Sequence, residues 1–365
     1  MADYKKILVR ANTGGIGDFV WATSAISLVK QYDTNIKITL ITSDIFIPLI
    51  DKKIGIDSVI VSKKKYNYFK NKVFKIVYRV YWCIKNYFNI KKEKYDLIIF
   101  LDQCYITSFF AKYLYKIKNI VGPSILPYGY NIKNNSSKFY TEIVNLPLDF
   151  NRLHCMVAYQ LIIRRIFPTY NLALPILPNT EYLKRNIEEK YLAKVNNYKI
   201  ALCLAGSKKS QNWDVDNFKK LIEIMEYKNI TFFIVGNNFE INNKAQYLIN
   251  NLKNCDIINL VYKTSLLELK EFLNNIDLLI SVDTGTVHIA ATTKVKIISL
   301  YGSSLPERTM PITSKSINMC TYEKCSPCVS KIYSNNQICK DIRCMNNISP
   351  KKVLEKVEEI LNEQK

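Results

Sequence analysis

The sequence predicts an α/β protein built from two doubly wound domains, and three observations carry that expectation. At 365 residues the chain exceeds the ~100–200 residues at which one hydrophobic core usually stops growing. Short β-branched runs alternate with longer amphipathic stretches, the pattern of a parallel sheet with crossover helices. That alternation breaks off in a proline-punctuated stretch and restarts near residue 196, so two such sheets are expected, with ligands beyond the carboxyl ends of their strands.

In the first half, strands are expected at Lys6–Arg10, Ile36–Thr42, Ser58–Val61, Leu97–Leu101 and Asn119–Val121. An apolar helix follows the first strand, from Phe19 to about Lys30. Tyr66–Ile90, rich in Lys, Tyr, Phe and Val, has helical length and reads as one helix. A turn-prone region with Pro123, Pro127, Gly129 and Asn134–Ser137 comes next, then an apolar helix around His154–Phe167. Pro168, Pro175 and Pro178, followed by the charged stretch Glu181–Lys194, mark a linker. The expected division is a first domain over 1–170, a linker over 171–195 and a second domain over 196–365. Strands of the second domain are expected at Ile200–Leu204, Thr231–Val235, Asp256–Leu260, Leu278–Val282 and Lys296–Leu300, with a cysteine-rich loop at 320–344 and a C-terminal helix. The halves share this pattern and no sequence repeat.

An apolar fraction of 48% and no low-complexity block exclude wholesale disorder. No apolar run reaches the ~18–20 residues of a membrane-spanning helix, and the early Asp3 and Arg10 leave no readable signal peptide, so a cytoplasmic protein is expected. Lys plus Arg exceed Asp plus Glu by 52 to 31, a net charge of +21. Such a surplus attracts phosphates, nucleic acid or an anionic bilayer. No helix-turn-helix, zinc-finger or RNA-recognition signature accompanies it, and the lysines are dispersed, which argues against nucleic acid.

Three strand-to-helix junctions carry the candidate chemistry. The first strand runs into Ala11-Asn12-Thr13-Gly14-Gly15-Ile16-Gly17-Asp18, where Gly15 and Gly17 let backbone approach a ligand at a helix N-terminus. The third glycine of a dinucleotide fingerprint is missing. Asp18 is placed either to cap that helix or to act in catalysis. In the second half, Ala205-Gly206-Ser207-Lys208-Lys209-Ser210-Gln211-Asn212-Trp213 follows a strand and precedes a helix beginning near Asp216. Backbone donors, the Ser207 hydroxyl and the charges of Lys208 and Lys209 suit a diphosphate; a surface loop capped by Asp216, with Trp213 as packing, would look similar. The third junction is Val282-Asp283-Thr284-Gly285-Thr286-Val287-His288. A buried strand ends at Asp283, and the amides of Thr284, Gly285 and Thr286 open a helix, an arrangement that attracts anions. His288, one of two histidines, falls on its first turn.

These segments, together with Leu300-Tyr301-Gly302, Pro306-Glu307-Arg308-Thr309 and Cys325-Ser326-Pro327-Cys328 ahead of Ile348-Ser349-Pro350, resemble glycosyltransferase family 9 in order and spacing over nearly the whole chain. Those are the heptosyltransferase-like enzymes of bacterial lipopolysaccharide core synthesis. The resemblance implies the GT-B arrangement, two Rossmann-like domains facing across a cleft. It implies inverting transfer of a sugar, heptose first, from an ADP-sugar to an anionic, lipid-linked lipopolysaccharide or lipooligosaccharide acceptor, with no metal or other cofactor required. Asp18 would face the acceptor as general base. Ser207, Asp283, Thr284, Gly285 and His288 would line the donor pocket, and Glu240 would bind donor hydroxyls or ribose. One position departs from the family: many members carry a lysine two residues before the tryptophan, and here it is Gln211. Either Lys208 or Lys209 reaches the diphosphate instead, or donor binding is weakened. Another nucleotide-sugar, another acceptor and a binding-only protein on the same scaffold are the alternatives.

Of the ten cysteines, Cys320, Cys325, Cys328, Cys339 and Cys344 cluster near the C-terminus. Reduced thiols are the expectation in a cytosolic setting. Structural zinc at Cys325, Cys328, Cys339 and Cys344 is the alternative, set back by a spacing that departs from common zinc motifs. From Lys63-Lys64-Lys65 to Lys91-Lys92, aromatic residues interleave with lysines. That suits either an interfacial helix on the inner leaflet or a crossover helix whose apolar side packs on the sheet while its lysines are solvated.

Overall fold

The computed structural model describes residues 4–12, 14–62, 72–127, 134–147, 153–193, 195, 198–226, 229–326, 328, 339 and 341–362. Thr13, Lys63–Lys65, Gly129, Lys194 and Pro327, singled out above, lie outside them. The chain divides into two compact units, Met1–Pro178 and Asn179–Lys365.

The first unit is a six-stranded sheet in the order β3-β2-β1-β4-β5-β6, every pairing parallel. Its strands are β1 (Lys6–Arg10), β2 (Lys37–Thr42), β3 (Ser58–Val61), β4 (Leu97–Phe100), β5 (Asn119–Pro123) and β6 (Glu142–Val144). The helices are α1 (Ile16–Tyr32), α2 (Lys72–Lys85), α3 (Tyr87–Glu93), α4 (Tyr105–Tyr113) and α5 (Cys155–Arg164). Central strands such as β4, Leu-Ile-Ile-Phe, are buried along their length, as a sheet covered on both faces requires. α1 is buried nearly all round and packs on α5. Its polar residues are satisfied locally: Thr23 donates to the Val20 carbonyl and Ser24 to that of Trp21, both at 2.7 Å. From α5, Gln160 Nε2 donates to Ser24 Oγ at 3.0 Å.

Two expectations change here. Tyr66–Ile90 is not one helix among the described residues: α2 ends at Lys85 and α3 begins at Tyr87. Asn86 separates them, and the Trp82 carbonyl accepts from both its side-chain amide at 2.8 Å and its backbone amide at 3.1 Å. β6, a three-residue edge strand, lies between the turn-prone region and the helix expected around His154–Phe167, in a stretch for which no element was expected, because so short a run leaves no periodicity to detect.

The second unit repeats the architecture, with strand order β12-β11-β10-β7-β8-β9, again parallel throughout. Its strands are β7 (Tyr198–Cys203), β8 (Ile230–Ile234), β9 (Asp256–Asn259), β10 (Leu278–Val282), β11 (Lys296–Tyr301) and β12 (Ser316–Cys320). The helices are α6 (Val215–Met225), α7 (Phe239–Asn251), α8 (Leu266–Asn274), α9 (Gly285–Ala290) and α10 (Pro350–Asn362). α6 is capped by Asp214, whose carboxylate accepts from the Asp216 amide at 2.9 Å, and not by Asp216. α8 opens with a reciprocal cap: Glu268 accepts from the Ser265 amide at 2.7 Å while Ser265 Oγ accepts from that of Glu268 at 3.3 Å. α10 buries Val353, Val357, Ile360 and Leu361, one helical face, against α6.

The division between the units falls inside the segment expected as a linker. Upstream, the Ile176 amide donates to Thr23 Oγ1 of the first unit at 3.1 Å. Downstream, residues 181–192 are helical and Thr180 Oγ1 donates to Glu271 of α8 at 2.6 Å. Among the described residues no helix is long and apolar enough to cross a membrane.

Candidate functional site

Each sheet has its switch in strand direction of travel between two central strands, β1 and β4 in the first unit, β7 and β10 in the second. The crevice outside the carboxyl ends of such a pair is where open α/β sheets hold ligands.

In the second unit this crevice is organised around Asp283, the residue that follows β10. The residue is 7% exposed, and one carboxylate oxygen, Oδ2, accepts from Ser304 Oγ at 2.5 Å, Gln211 Nε2 at 3.1 Å and Thr309 Oγ1 at 3.4 Å. Three loops therefore meet on one oxygen, those after β7, β10 and β11. Burial pushes the Asp283 carboxyl above its ordinary range, against the pull of the Ser304 and Gln211 hydrogen bonds and the nearby Lys208 charge. Gly206 is what lets the β7 loop pass: a Cβ there would stand 3.0 Å from the Asp283 carbonyl oxygen.

A second chain of hydrogen bonds holds the same loop from behind. The Gly206 amide donates to Asn212 Oδ1 at 2.8 Å, and Asn212 Nδ2 donates to Glu240 Oε1 at 2.8 Å. Glu240, in the first turn of α7, pairs with Lys244 at 3.4 Å, and Lys244 Nζ donates to the Leu204 carbonyl at 3.3 Å. Ser207 and Lys209 are exposed and Lys208 is half-buried on this loop, so hydroxyl and positive charge are offered outward. Ser210 meets Ser303 at 3.1 Å. Thr284 and Gly285 are half-buried at the start of α9, and His288 is buried one turn further on. The structure thus gathers Gly206, Gln211, Glu240 and Asp283 into linked networks and sets Ser207, Lys208, Thr284 and Gly285 at the same edge of the sheet. Trp213 is fully buried, donates from Nε1 to the Ile348 carbonyl at 2.9 Å and meets Phe218 edge-on; it anchors the loop's far end.

The sequence reading missed Asn212, Ser304 and Thr309 as members of this site. Asn212 and Thr309 stand inside quoted motifs, yet only folding reveals which atoms their side chains meet.

In the first unit, α1 starts after Gly15, and Asp18 is its third residue, not its N-cap. The Asp18 carboxylate reaches back to accept from the Gly15 amide at 3.0 Å, and Gly14 lies so close that a Cβ there would stand 3.3 Å from Asp18 Oδ2. Asp18 is half-buried, so the capping bond leaves it reachable. Gly17 is buried within the first turn.

Beside this loop lies a pocket that the sequence did not announce. Arg10, Asn12, Ser62, Tyr78, Arg79 and Thr107 contribute to its walls, and it is a shallow cleft open to solvent. Arg10, at the end of β1, pairs with Asp102 just after β4, and both are buried. Burial raises the Asp102 carboxyl while Arg10 and then Arg79 draw it down. Asn12 Nδ2 approaches Ser62 Oγ at 3.5 Å, and its buried Oδ1 has no hydrogen-bond partner. Two guanidiniums against one carboxylate leave this pocket electropositive, suited to a carboxylate or phosphate.

The cysteine loop packs on the segment after β11. The Cys328 amide donates to the Ser303 carbonyl at 3.1 Å, Ser326 Oγ donates to that of Gly302 at 2.8 Å, and a Cβ at Gly302 would stand 2.9 Å from Cys344 Sγ. Burial pushes the Cys344 thiol up to about 12, with the neighbouring Cys328, Cys325 and Cys339 thiols adding to it. All ten cysteines are free thiols, and among the described residues no group of three or more His, Cys, Asp or Glu is placed to hold a metal ion.

Residues 168–339 match the family model described as "Glycosyltransferase family 9 (heptosyltransferase)". Among curated proteins, the chain is 26% identical over 154 residues to "Lipooligosaccharide heptosyltransferase 2" of Campylobacter jejuni subsp. jejuni serotype O:2, covering 42% of this chain and 47% of that protein. It is 27% identical over 118 residues to "Lipopolysaccharide core heptosyltransferase OpsX" of Haemophilus influenzae, covering 32% and 34%. The match thus spans about half the length, or less, of these curated relatives. Among solved structures, E. coli ADP-heptose lps heptosyltransferase II superposes with a TM-score of 0.74 at 16% identity over 98% of this chain and 99% of that one. A family 9 glycosyl transferase from Veillonella parvula does so with 0.75 at 19% identity over 99% and 98%. These superpositions show the fold: the chain has the GT-B fold of two parallel, helix-flanked sheets.

Proposed function

We propose that this chain, whose residues 168–339 match the glycosyltransferase family 9 model, transfers a sugar with inversion from an ADP-sugar bound by the second unit to an anionic, lipid-linked glycan bound by the first. ADP-heptose is the donor and a lipopolysaccharide or lipooligosaccharide core the acceptor, a reading supported by the relatives' names and carried out on the cytoplasmic side. The observation that carries it is the convergence of three carboxyl-end loops on buried Asp283. That convergence holds Ser207, Lys208, Thr284 and Gly285 at the switch point of a Rossmann-ordered sheet, where a nucleoside diphosphate finds amide donors and positive charge.

In this mechanism Asp18 accepts the proton of the acceptor hydroxyl as its oxygen attacks the anomeric carbon from the face opposite the leaving group. The new glycosidic C–O bond forms as the bond from the anomeric carbon to the β-phosphate oxygen breaks, and both electrons leave with the ADP. Its developing charge is met by the loop amides at Ser207 and Thr284 and by Lys208 or Lys209. Glu240, held by Asn212, would take donor or ribose hydroxyls, and His288 would support the floor of the pocket from α9. The Arg10 and Arg79 pocket receives an anionic group of the acceptor and so orients its hydroxyl. Gly15 and Gly17 keep the approach to Asp18 open. No step of this scheme uses a metal; Cys344 acts as a packing thiol against Gly302.

Gln211 favours one second reading, a protein that binds the nucleotide without turnover, because its neutral amide is already engaged by Asp283 where many family members carry lysine. Calorimetric titration with ADP and UDP, beside product analysis with ADP-heptose and a core glycan lacking its heptose, separates the two. The enzyme reading expects selective ADP binding, transfer by the native chain, and loss of turnover by about 10²–10⁴-fold in Asp18→Asn with ADP affinity retained. ADP binding without transfer on any core acceptor leaves the binding-only protein; binding to neither nucleotide refutes both.

A further inference from the structure

The α2–α3 segment is amphipathic in an unusual sense, with its apolar stripe turned toward solvent. Val77, Tyr81 and Ile84 lie at i, i+4 and i+7, one face of a helix, and are 57%, 57% and 58% exposed; Phe88 continues beyond Asn86 at 78%. The opposite face is the one the fold uses. Trp82 and Cys83 are buried there, Trp82 Nε1 donates to the Val61 carbonyl at 2.8 Å, and Arg79 turns to the anion pocket. The crossover helix therefore does the reverse of what such a helix ordinarily does, which is to bury its apolar stripe against the sheet.

The charge on this segment is predominantly positive: α2 and α3 carry Lys72, Lys75, Arg79, Lys85, Lys91 and Lys92 against one acidic residue, Glu93, which pairs with Lys6 at 3.0 Å. From Ser58 to Lys92 the sequence has ten Lys and Arg and no Asp or Glu. Lys85, Lys91 and Lys92 are exposed beside the stripe, and Lys91 Nζ donates to Tyr87 Oη at 2.7 Å. Apolar and aromatic side chains flanked by lysines are the composition of a helix lying in the boundary of an anionic bilayer, apolar face among the acyl chains and ammonium groups at the headgroups. A protein partner would satisfy the apolar stripe, but a helix pair whose one acidic residue, Glu93, is already paired with Lys6 matches a surface that is uniformly negative.

We infer that the exposed face of α2 and α3 docks the protein onto an anionic lipid bilayer. This inference stands apart from the assignment of donor and catalytic residues, since it uses none of them. The test is co-sedimentation of the full chain with vesicles of phosphatidylcholine alone and with about 30% phosphatidylglycerol, a content chosen to approach the charge of an anionic leaflet. Three variants accompany it: Val77→Ser/Tyr81→Ser/Ile84→Ser/Phe88→Ser, Lys85→Gln/Lys91→Gln/Lys92→Gln, and Tyr182→Ser as an exposed aromatic elsewhere. All the substituted side chains are exposed, and circular dichroism checks that each variant keeps the native spectrum. The native chain is expected to bind the anionic vesicles at least tenfold more strongly than the neutral ones. The serine variant should lose at least tenfold on anionic vesicles, the glutamine variant should lose the anionic preference, and Tyr182→Ser should bind as the native chain does. Absence of native binding, or a serine variant that binds undiminished, overturns the inference. Sedimentation equilibrium showing self-association that the serine variant abolishes, with vesicle binding unaltered, overturns it too and gives the face to a second copy of the chain.

Discussion

Replacing Asp283 tests whether one carboxylate oxygen holds the candidate donor loops together. In Asp283→Ala, Ser304 and Gln211 lose an acceptor they reach at 2.5 and 3.1 Å. Hydrogen bonds to a charged group are worth about 1.5–3 kcal/mol each, so the gross loss is roughly 3–6 kcal/mol. The Thr309 contact at 3.4 Å adds little. Removing a desolvated charge returns part of this, and a net cost of about 2–4 kcal/mol is expected. Asp283→Asn keeps an oxygen for Ser304 and has no charge to desolvate, so its cost should stay near 1 kcal/mol, the scale of one neutral hydrogen bond. The two substitutions also differ in their pH dependence. Burial raises the native Asp283 carboxyl above 3.8, so the native state holds this proton more tightly than the unfolded chain. Its stabilising contribution is full below the unfolded pKa and is lost as pH rises through the raised native value. The stability of the native protein relative to Asp283→Asn should therefore fall with pH across that window and level off above it. Urea unfolding followed by fluorescence and far-ultraviolet circular dichroism, run from acid to neutral pH, measures both quantities. An alanine variant within about 0.5 kcal/mol of the native protein, the ordinary scale of a surface substitution, or a difference from the asparagine variant that widens with pH, would refute the role given to this carboxylate.

Gly206→Ala should cost about 1–3 kcal/mol, because its Cβ would stand 3.0 Å from a backbone oxygen with no freedom to move; thermal unfolding and ADP titration should both register it. Asp102→Ala should cost about 3–5 kcal/mol by stranding the buried Arg10 guanidinium, and Arg10→Met combined with Asp102→Leu should cost clearly less than the two single changes together, read from denaturant midpoints. Trp213→Ala should cost about 3–5 kcal/mol, given a fully buried indole bonded to the Ile348 carbonyl; a variant that unfolds at the native midpoint would show that α10 and the 207–212 loop are not joined through it.

The two sheets were legible before the structure because the information is local. Runs such as Leu278–Val282 and Lys6–Arg10 are apolar and β-branched, bounded by glycine or charge, and both formed strands over those residues. The junctions that follow them were legible too, because glycines and hydroxyls at a strand-to-helix turn are confined to a few positions. Asp18, Ser207 and Asp283 accordingly stand at the carboxyl ends where parallel strands present ligands. What the sequence could not supply was any contact requiring two distant segments. The pairing of Asp283 with Ser304 and Gln211 spans 21 and 72 residues, and that of Arg10 with Asp102 spans 92. The break at Asn86 and the orientation of α2 belong to the same class. A hydrophobic stripe at helical spacing announces that a face is apolar, but which way that face turns is decided by the residues opposite it. Trp82 and Cys83 took the sheet, and Val77, Tyr81 and Ile84 were left facing water, because a helix has one axis and cannot bury both sides against a single layer.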